Sequence, residues 1–326
     1  MTVDIAQPTR RRIEAIDALR GFALLGMFIF HATWDLGFFR LIPAEFPFSP
    51  GFTAFGHVIA VTFLGLSGAS LVLAHPDRRP NAAYWKRLGM LVAASAAITV
   101  ATLWLFPESF IFFGILHCIA LGSLIALPYL RGPGFIAILA GGLVIALPLL
   151  VASPIFNPIA LQWVGLGTQL PTTNDWRPVF PWLGFVLLGL GMAQVVREQG
   201  ISLPGAGWQA HSVPARWLLW GGRHSLLVYL VHQPVFFAVV WTIAQIVNPL
   251  PAATPVTAEP FVGACVAQCT ARGGEAELCR NVCTCISQEI RRKPPIWQRL
   301  VQDSLSPADR VEIEGFTQQC LKGLQP

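Results

Sequence analysis

Seven runs of about 18–24 mostly apolar residues constrain this chain more than any other feature. They lie near 18–38, 53–74, 88–106, 110–130, 134–152, 179–196 and 224–247. A helix of that length crosses ~30 Å of hydrocarbon and satisfies its backbone N–H and C=O groups internally. Of the 326 residues, 54% are hydrophobic and 12% charged; a soluble domain carries about twice that charge. The expected fold is therefore all-α, a polytopic transmembrane helical bundle of about seven spans. The run behind Arg10-Arg11-Arg12 is long and has no small-x-small exit site, so it reads as a retained anchor rather than a cleaved leader.

Basic residues set the expected orientation. With the N-terminus in the cytoplasm, Arg10, Arg11, Arg12, Arg20, Arg78, Arg79, Lys86, Arg87, Arg131, Arg197, Arg216 and Arg223 fall on the inner side, leaving Arg40 and Arg177 in the opposite loops. Seven spans then place the C-terminus outside. The net charge of +5 resides in the apolar part, because the tail from Pro251 carries equal numbers of acidic and basic residues. That charge reads as topology and implies no nucleic-acid partner.

At 248–260 the sequence changes to "NPLPAATPVTAEP", a linker composition. The expected organisation is a membrane domain over 1–250 and a linker with a small soluble cysteine-rich helical tail over 251–326. Six of the seven cysteines lie in the tail: Cys265, Cys269, Cys279, Cys283, Cys285 and Cys320. Two C-x3-C steps put paired thiols on one face of each of two helices. An antiparallel hairpin would join Cys265 to Cys283 and Cys269 to Cys279, leaving Cys285 for Cys320, although six cysteines allow fifteen connectivities. A zinc site is the rival, but the tail contains no histidine and its expected compartment is oxidising. Cys118, inside a span, reads as a small hydrophobe.

The first span, "DALRGFALLGMFIFHATWDL", holds Arg20, His31 and Asp35. Eleven residues at about 100° each bring Arg20 and His31 to one face, ~16 Å apart along the axis. Asp35 follows His31 by four residues on the same face. Ionisable residues at such depth usually face a bundle interior or a polar path. A neutral imidazole serves as general base or nucleophile, a neighbouring carboxylate fixes its tautomer, and a basic mouth suits a phosphorylated donor. The plainer reading is that Asp17 and Arg20 pair at the helix start and His31 is a packing residue.

Other polar residues in apolar surroundings are His57, His117, and the trio Ser225, Tyr229 and His232 on one face of the last span. Each histidine taken alone is more often structural. Asp175, beside Arg177 in the loop before the sixth span, is a candidate for orienting an acceptor, against the default of a solvated loop acid.

Four stretches in this order, "RIEAIDALRGFALLGMFIFHATWDL", "FIFFGILHCIALGSLIALP", "TNDWRPVFPWLG" and "GRHSLLVYLVHQP", resemble bacterial relatives of the heparan-α-glucosaminide N-acetyltransferase catalytic domain over roughly 11–240. The resemblance implies a transmembrane acyltransferase that takes acetyl from cytoplasmic acetyl-CoA and delivers it to an acceptor on the far side. The Arg20-x10-His31 element is also similar to that of the broader membrane-bound O-acyltransferase-3 group. There the histidine is regarded as catalytic and the arginine as important to the donor side. The chain has fewer spans than the family, and the cysteine tail is no part of the family pattern.

The expectation is thus an acetyl-CoA-dependent acyltransferase of the bacterial inner membrane, with the tail on the periplasmic side. Its acceptor would be an amino or hydroxyl group of an extracytoplasmic sugar or glycan. His31 and Asp35 are the catalytic candidates, Arg20 and Arg223 the donor-binding ones, and His117, Tyr229, His232 and Asp175 line the path or acceptor side. Acetyl-CoA is a co-substrate, no metal or haem is expected, the bilayer is the main partner, and an oligomer is compatible with this reading. The alternative from another class is a transporter or non-catalytic scaffold of the same fold; a haem protein with facing histidines or a thiol oxidoreductase using the tail ranks lower.

Overall fold

The computed structural model describes residues 13–75, 77–202, 205–247, 258–271, 273–301 and 305–323. Arg10, Arg11, Arg12 and most of the expected linker (248–257) lie outside the described residues. The chain divides into two compact units, Met1–Asn248 and Pro249–Pro326.

The first unit is helical: α1 Glu14–Phe38, α2 Pro50–Ala74, α3 Ala82–Leu105, α4 Ile115–Ile125, α5 Gly134–Leu150, α6 Val179–Glu198, α7 Val213–Arg223 and α8 Ser225–Ile246. Five of these (α1, α2, α3, α6 and α8) are long and apolar enough to cross a membrane, while α4 and α5 are shorter apolar helices. The expected span at 110–130 shortens to α4. Pro107 opens a 3-10 turn before it, Pro128 opens another behind it, and 110–114 stays extended. Large apolar side chains such as Val100 and Trp104 on α3 and Ile246 on α8 are about two-thirds or more exposed. A helical bundle that turns such residues outward on its long helices is built for lipid.

Helix starts follow local chemistry. Asn81 caps α3 by accepting from the Tyr84 N–H (2.9 Å), and Ser212 caps α7 by accepting from the Ala215 N–H (3.4 Å). Pro50 opens α2 at a position where the missing N–H costs nothing. Ser212 thus starts a short helix that the apolar pattern alone does not reveal, and a break at His224 separates it from α8.

α6 is the central helix, with 56% of its apolar window buried against 17% for α3. Small residues allow this. A Cβ on Gly189 would overlap the Gly65 carbonyl oxygen, and one on Gly68 the Val186 carbonyl oxygen, so α2 and α6 touch backbone to backbone. Gly141 and Gly184 bring α5 equally close to α6. Leu64, Val186, Leu187 and Leu190 fill the seam and are nearly inaccessible.

α1 and α8 run in the same direction. Along their length they pair His31 with His232, Asp35 with Gln233 and Phe38 with Phe237. Parallel packing of the first and last long helices is what an odd number of intervening crossings produces.

The second unit contains α9 Ala258–Ala271, α10 Ala276–Arg291, α11 Pro294–Val301 and α12 Pro307–Gly323. α9 and α10 form a hairpin through a turn at Gly273, whose φ of 90° is readily adopted only by glycine. Disulfides join Cys265 to Cys283, Cys269 to Cys279 and Cys285 to Cys320, the pairing that the i, i+4 spacing on an antiparallel hairpin allows. A small core of Val282, Ile286, Ile290 and Ile296 packs against the Cys285–Cys320 bridge. Ser306 and Asp309 cap α12 reciprocally, and Asp309 also takes two hydrogen bonds from Arg299.

Candidate functional site

Most of the candidate residues fall in two places, a cluster at the α1–α8 contact and an ion-pair network at the start of α1. In the cluster, the His31 and His232 rings meet edge to face with centroids 4.9 Å apart. Phe28 stacks on His232 at 5.5 Å, and Tyr229, three residues earlier on α8, lies 5.6 Å from it. Aromatic packing holds both imidazoles in place. His232 Nδ1 is 2.7 Å from the Tyr229 carbonyl oxygen. A carbonyl oxygen only accepts, so Nδ1 carries the proton, and in the neutral ring Nε2 is a bare lone pair. That Nε2 is buried and has no hydrogen-bond partner among the described residues.

Asp35 is fully buried. The sequence suggests it as an orienter of His31; in the structure its Oδ1 instead accepts from Gln233 Nε2 at 2.8 Å. The i, i+4 spacing puts Asp35 on the His31 face, but the neighbouring helix supplies a better-placed donor. The amide must turn its NH2 to the carboxylate, which points Gln233 Oε1 elsewhere. Both Oε1 and Asp35 Oδ2 are buried without a partner among the described residues. Gln233 was not singled out from the sequence, although it is a polar residue next to His232 in an apolar run.

Arg177 adds a positive charge from the loop before α6. Its Nη1 donates to the Trp176 carbonyl oxygen (2.8 Å) and lies 3.6 Å from Asp175 Oδ1. The guanidinium sits over the Trp182 ring at 4.7 Å, and His57 meets that same ring at 5.3 Å. The Trp182 ring thus brings the loop before α6 and α2 together.

Two candidates have local structural duties. His117 Nδ1 accepts from the Gly114 N–H (3.2 Å), which leaves the ring proton on Nε2, 3.1 Å from Thr99 Oγ1. Both nitrogens are thereby used in anchoring the start of α4 to α3. Asp175 Oδ2 accepts from the Ile115 N–H at 2.8 Å and so tethers the loop before α6 to the α4 N-terminus. An isolated bridge between Phe113 and Trp176 supports the same junction. Cys118 is free and buried.

At the other end of α1, Arg20 pairs with Asp17 at 2.9 Å and donates to Ser70 of α2. Arg223 pairs with Glu14 (3.2 Å) and Asp17 (3.3 Å). Both donor-binding candidates thus stand in one ion-pair network that also fixes α7 to α1. Arg20 lies about 16 Å along the helix from His31 at ~1.5 Å per residue.

Long lipid-facing helices with a polar contact between α1 and α8 define a multi-pass helical membrane protein. Residues 12–234 match the family model described as "Heparan-alpha-glucosaminide N-acetyltransferase, catalytic". The chain belongs to that family, a membrane acetyltransferase-like family that implies an acetyl-CoA-type donor in general. No curated protein matches the chain, and no solved structure matches it.

Proposed function

We propose that the chain is an integral membrane acyltransferase that moves an acetyl group from cytoplasmic acetyl-CoA to an amino or hydroxyl group of a sugar or glycan on the far side. The observation that carries this reading is the His31–His232 contact, in which one ring is locked by Tyr229 with its second nitrogen free. Family membership supplies the donor class.

In this reading His31 is the general base, and His232 packs against it and polarises the site. As the acceptor's N–H or O–H attacks the thioester carbonyl carbon, His31 takes its proton. The C–S bond breaks, and the leaving thiolate recovers that proton from the imidazolium as free CoA. Arg20 and Arg223 favour the donor's phosphates at the cytoplasmic end, and an extended donor reaches from there to His31. Asp175 and Arg177 border the acceptor side. The parallel α1 and α8 accord with an N-terminus in the cytoplasm and a tail beyond α8 on the periplasmic side of a bacterial inner membrane.

The test is chromatographic detection of free CoA from acetyl-CoA with the purified protein, with and without a mixed amino-sugar and glycan pool. Acceptor-dependent CoA release supports the reading. Absence of both release and acetyl-CoA binding points to a transporter or scaffold instead.

A further inference from the structure

Three buried atoms at the α1–α8 contact lack partners among the described residues: Asp35 Oδ2, Gln233 Oε1 and His232 Nε2. They are linked, since Asp35 and Gln233 share a hydrogen bond and Gln233 follows His232 on α8. All three are acceptors. The carboxylate offers only lone pairs, the amide has its NH2 on that carboxylate, and the imidazole has its proton on the Tyr229 carbonyl. Leaving one such group unpaired costs about 1–3 kcal/mol, more for a charged group. Asp35 and Gln233 thus present two such acceptors at one contact, an arrangement suited to a hydrogen-bond donor, with His232 one turn away. Asp35 is 0% exposed and His232 6%, so a donor meets them only when the α1–α8 contact opens.

We propose that Asp35, Gln233 and His232 form a socket for the proton-bearing group of the second substrate, an N–H or O–H on a sugar-like molecule. Asp35 and Gln233 are then positioning residues, and Gln233 is a specificity determinant. Its amide holds the carboxylate in place and presents an oxygen of its own. The identity of the bound group rests on the acyl-transfer reading; its place of binding does not. The socket adjoins the His31–His232 pair, so the group it holds lies beside the base that deprotonates it.

The test is thermal unfolding of the full-length protein in detergent, with glucosamine and with glucose as separate probes. Wild type, Gln233→Leu, Gln233→Ala and Asp35→Asn are compared at matched far-UV circular dichroism and monodispersity. The expected result is a saturable rise in the wild-type midpoint with at least one probe, moved at least tenfold to higher concentration in the Gln233 variants. A shift with glucosamine alone selects N–H, and a shift with both selects a hydroxyl they share. No wild-type shift with either probe overturns the proposal, as does an unchanged midpoint concentration in both Gln233 variants. Should Asp35→Asn fail to fold, the Gln233 pair still decides. Probe binding without acetyl transfer keeps the socket and rejects the transferase reading; transfer that ignores Gln233 does the reverse.

Discussion

His31 on α1 and His232 on α8 meet edge to face at 4.9 Å, one turn from the point where Asp35 on the same α1 face takes a hydrogen bond from Gln233. The two contacts divide the work: aromatic packing places the imidazoles, and the carboxylate is occupied elsewhere. His232→Gln should therefore cost more turnover than Asp35→Asn. About 10²–10⁴-fold is expected for removing a positioned base or its partner, read as kcat in acetyl transfer with the folded fraction matched.

His117 gives the contrasting case. Its nitrogens serve the Gly114 amide and Thr99. His117→Ala should lower stability by about 1–3 kcal/mol and leave turnover per folded molecule within twofold. Thermal denaturation in detergent alongside the transfer assay separates the two effects.

Gly189 faces the Gly65 backbone with no room for a side chain. Gly189→Leu must push α2 away from α6, and small-to-large changes in a packed seam typically cost about 1–3 kcal/mol. The expected outcome is a lower unfolding midpoint and a reduced monodisperse yield. Gly142 has open space beside it, so Gly142→Leu serves as the neutral control.

In the tail, Arg299 and Ser306 hold the Asp309 carboxyl well below the ordinary carboxylate range. The native state therefore binds fewer protons than the unfolded one there. The resulting stability is complete above the ordinary value near ~4 and is lost as pH falls through the depressed one. Asp309→Asn should weaken hydrogen-exchange protection of α12 at pH 7, and the gap from wild type should narrow as the pH approaches 2.

The three disulfides close loops of different length, with separations of 35 for Cys285–Cys320 and 10 for Cys269–Cys279. The chain-entropy relation makes the longer closure worth about 1 kcal/mol more. A Cys285→Ser, Cys320→Ser double variant should lower tail protection more than the corresponding Cys269, Cys279 pair. An equal loss in both variants contradicts this.

The elements were legible where one periodicity decides them. Apolar length marked α1, α2, α3, α6 and α8, and the C-x3-C steps marked the hairpin of α9 and α10. The apolar run at 110–130 is longer than α4 because Phe110, Ile111, Phe112 and Phe113 are as apolar as a helix interior, yet they run extended toward the Asp175 loop. Spacing along α1 placed Arg20, His31 and Asp35 on one face, but a face does not name its partner. Gln233 for Asp35, Glu14 and Asp17 for Arg223, and Thr99 for His117 come from separate helices. Those pairings are tertiary facts: they give His117 and Asp175 local anchoring bonds and leave His232 Nε2 without a partner among the described residues.

The most direct measurement is transfer of label from radiolabelled acetyl-CoA to a pool of amino sugars and glycans, by wild type and by an equally folded His31→Ala variant. The account predicts acceptor-bound label with wild type and a loss of at least a hundredfold in the variant. Equal transfer by both proteins would contradict the central role of His31, and no transfer by wild type would contradict the acyltransferase reading itself.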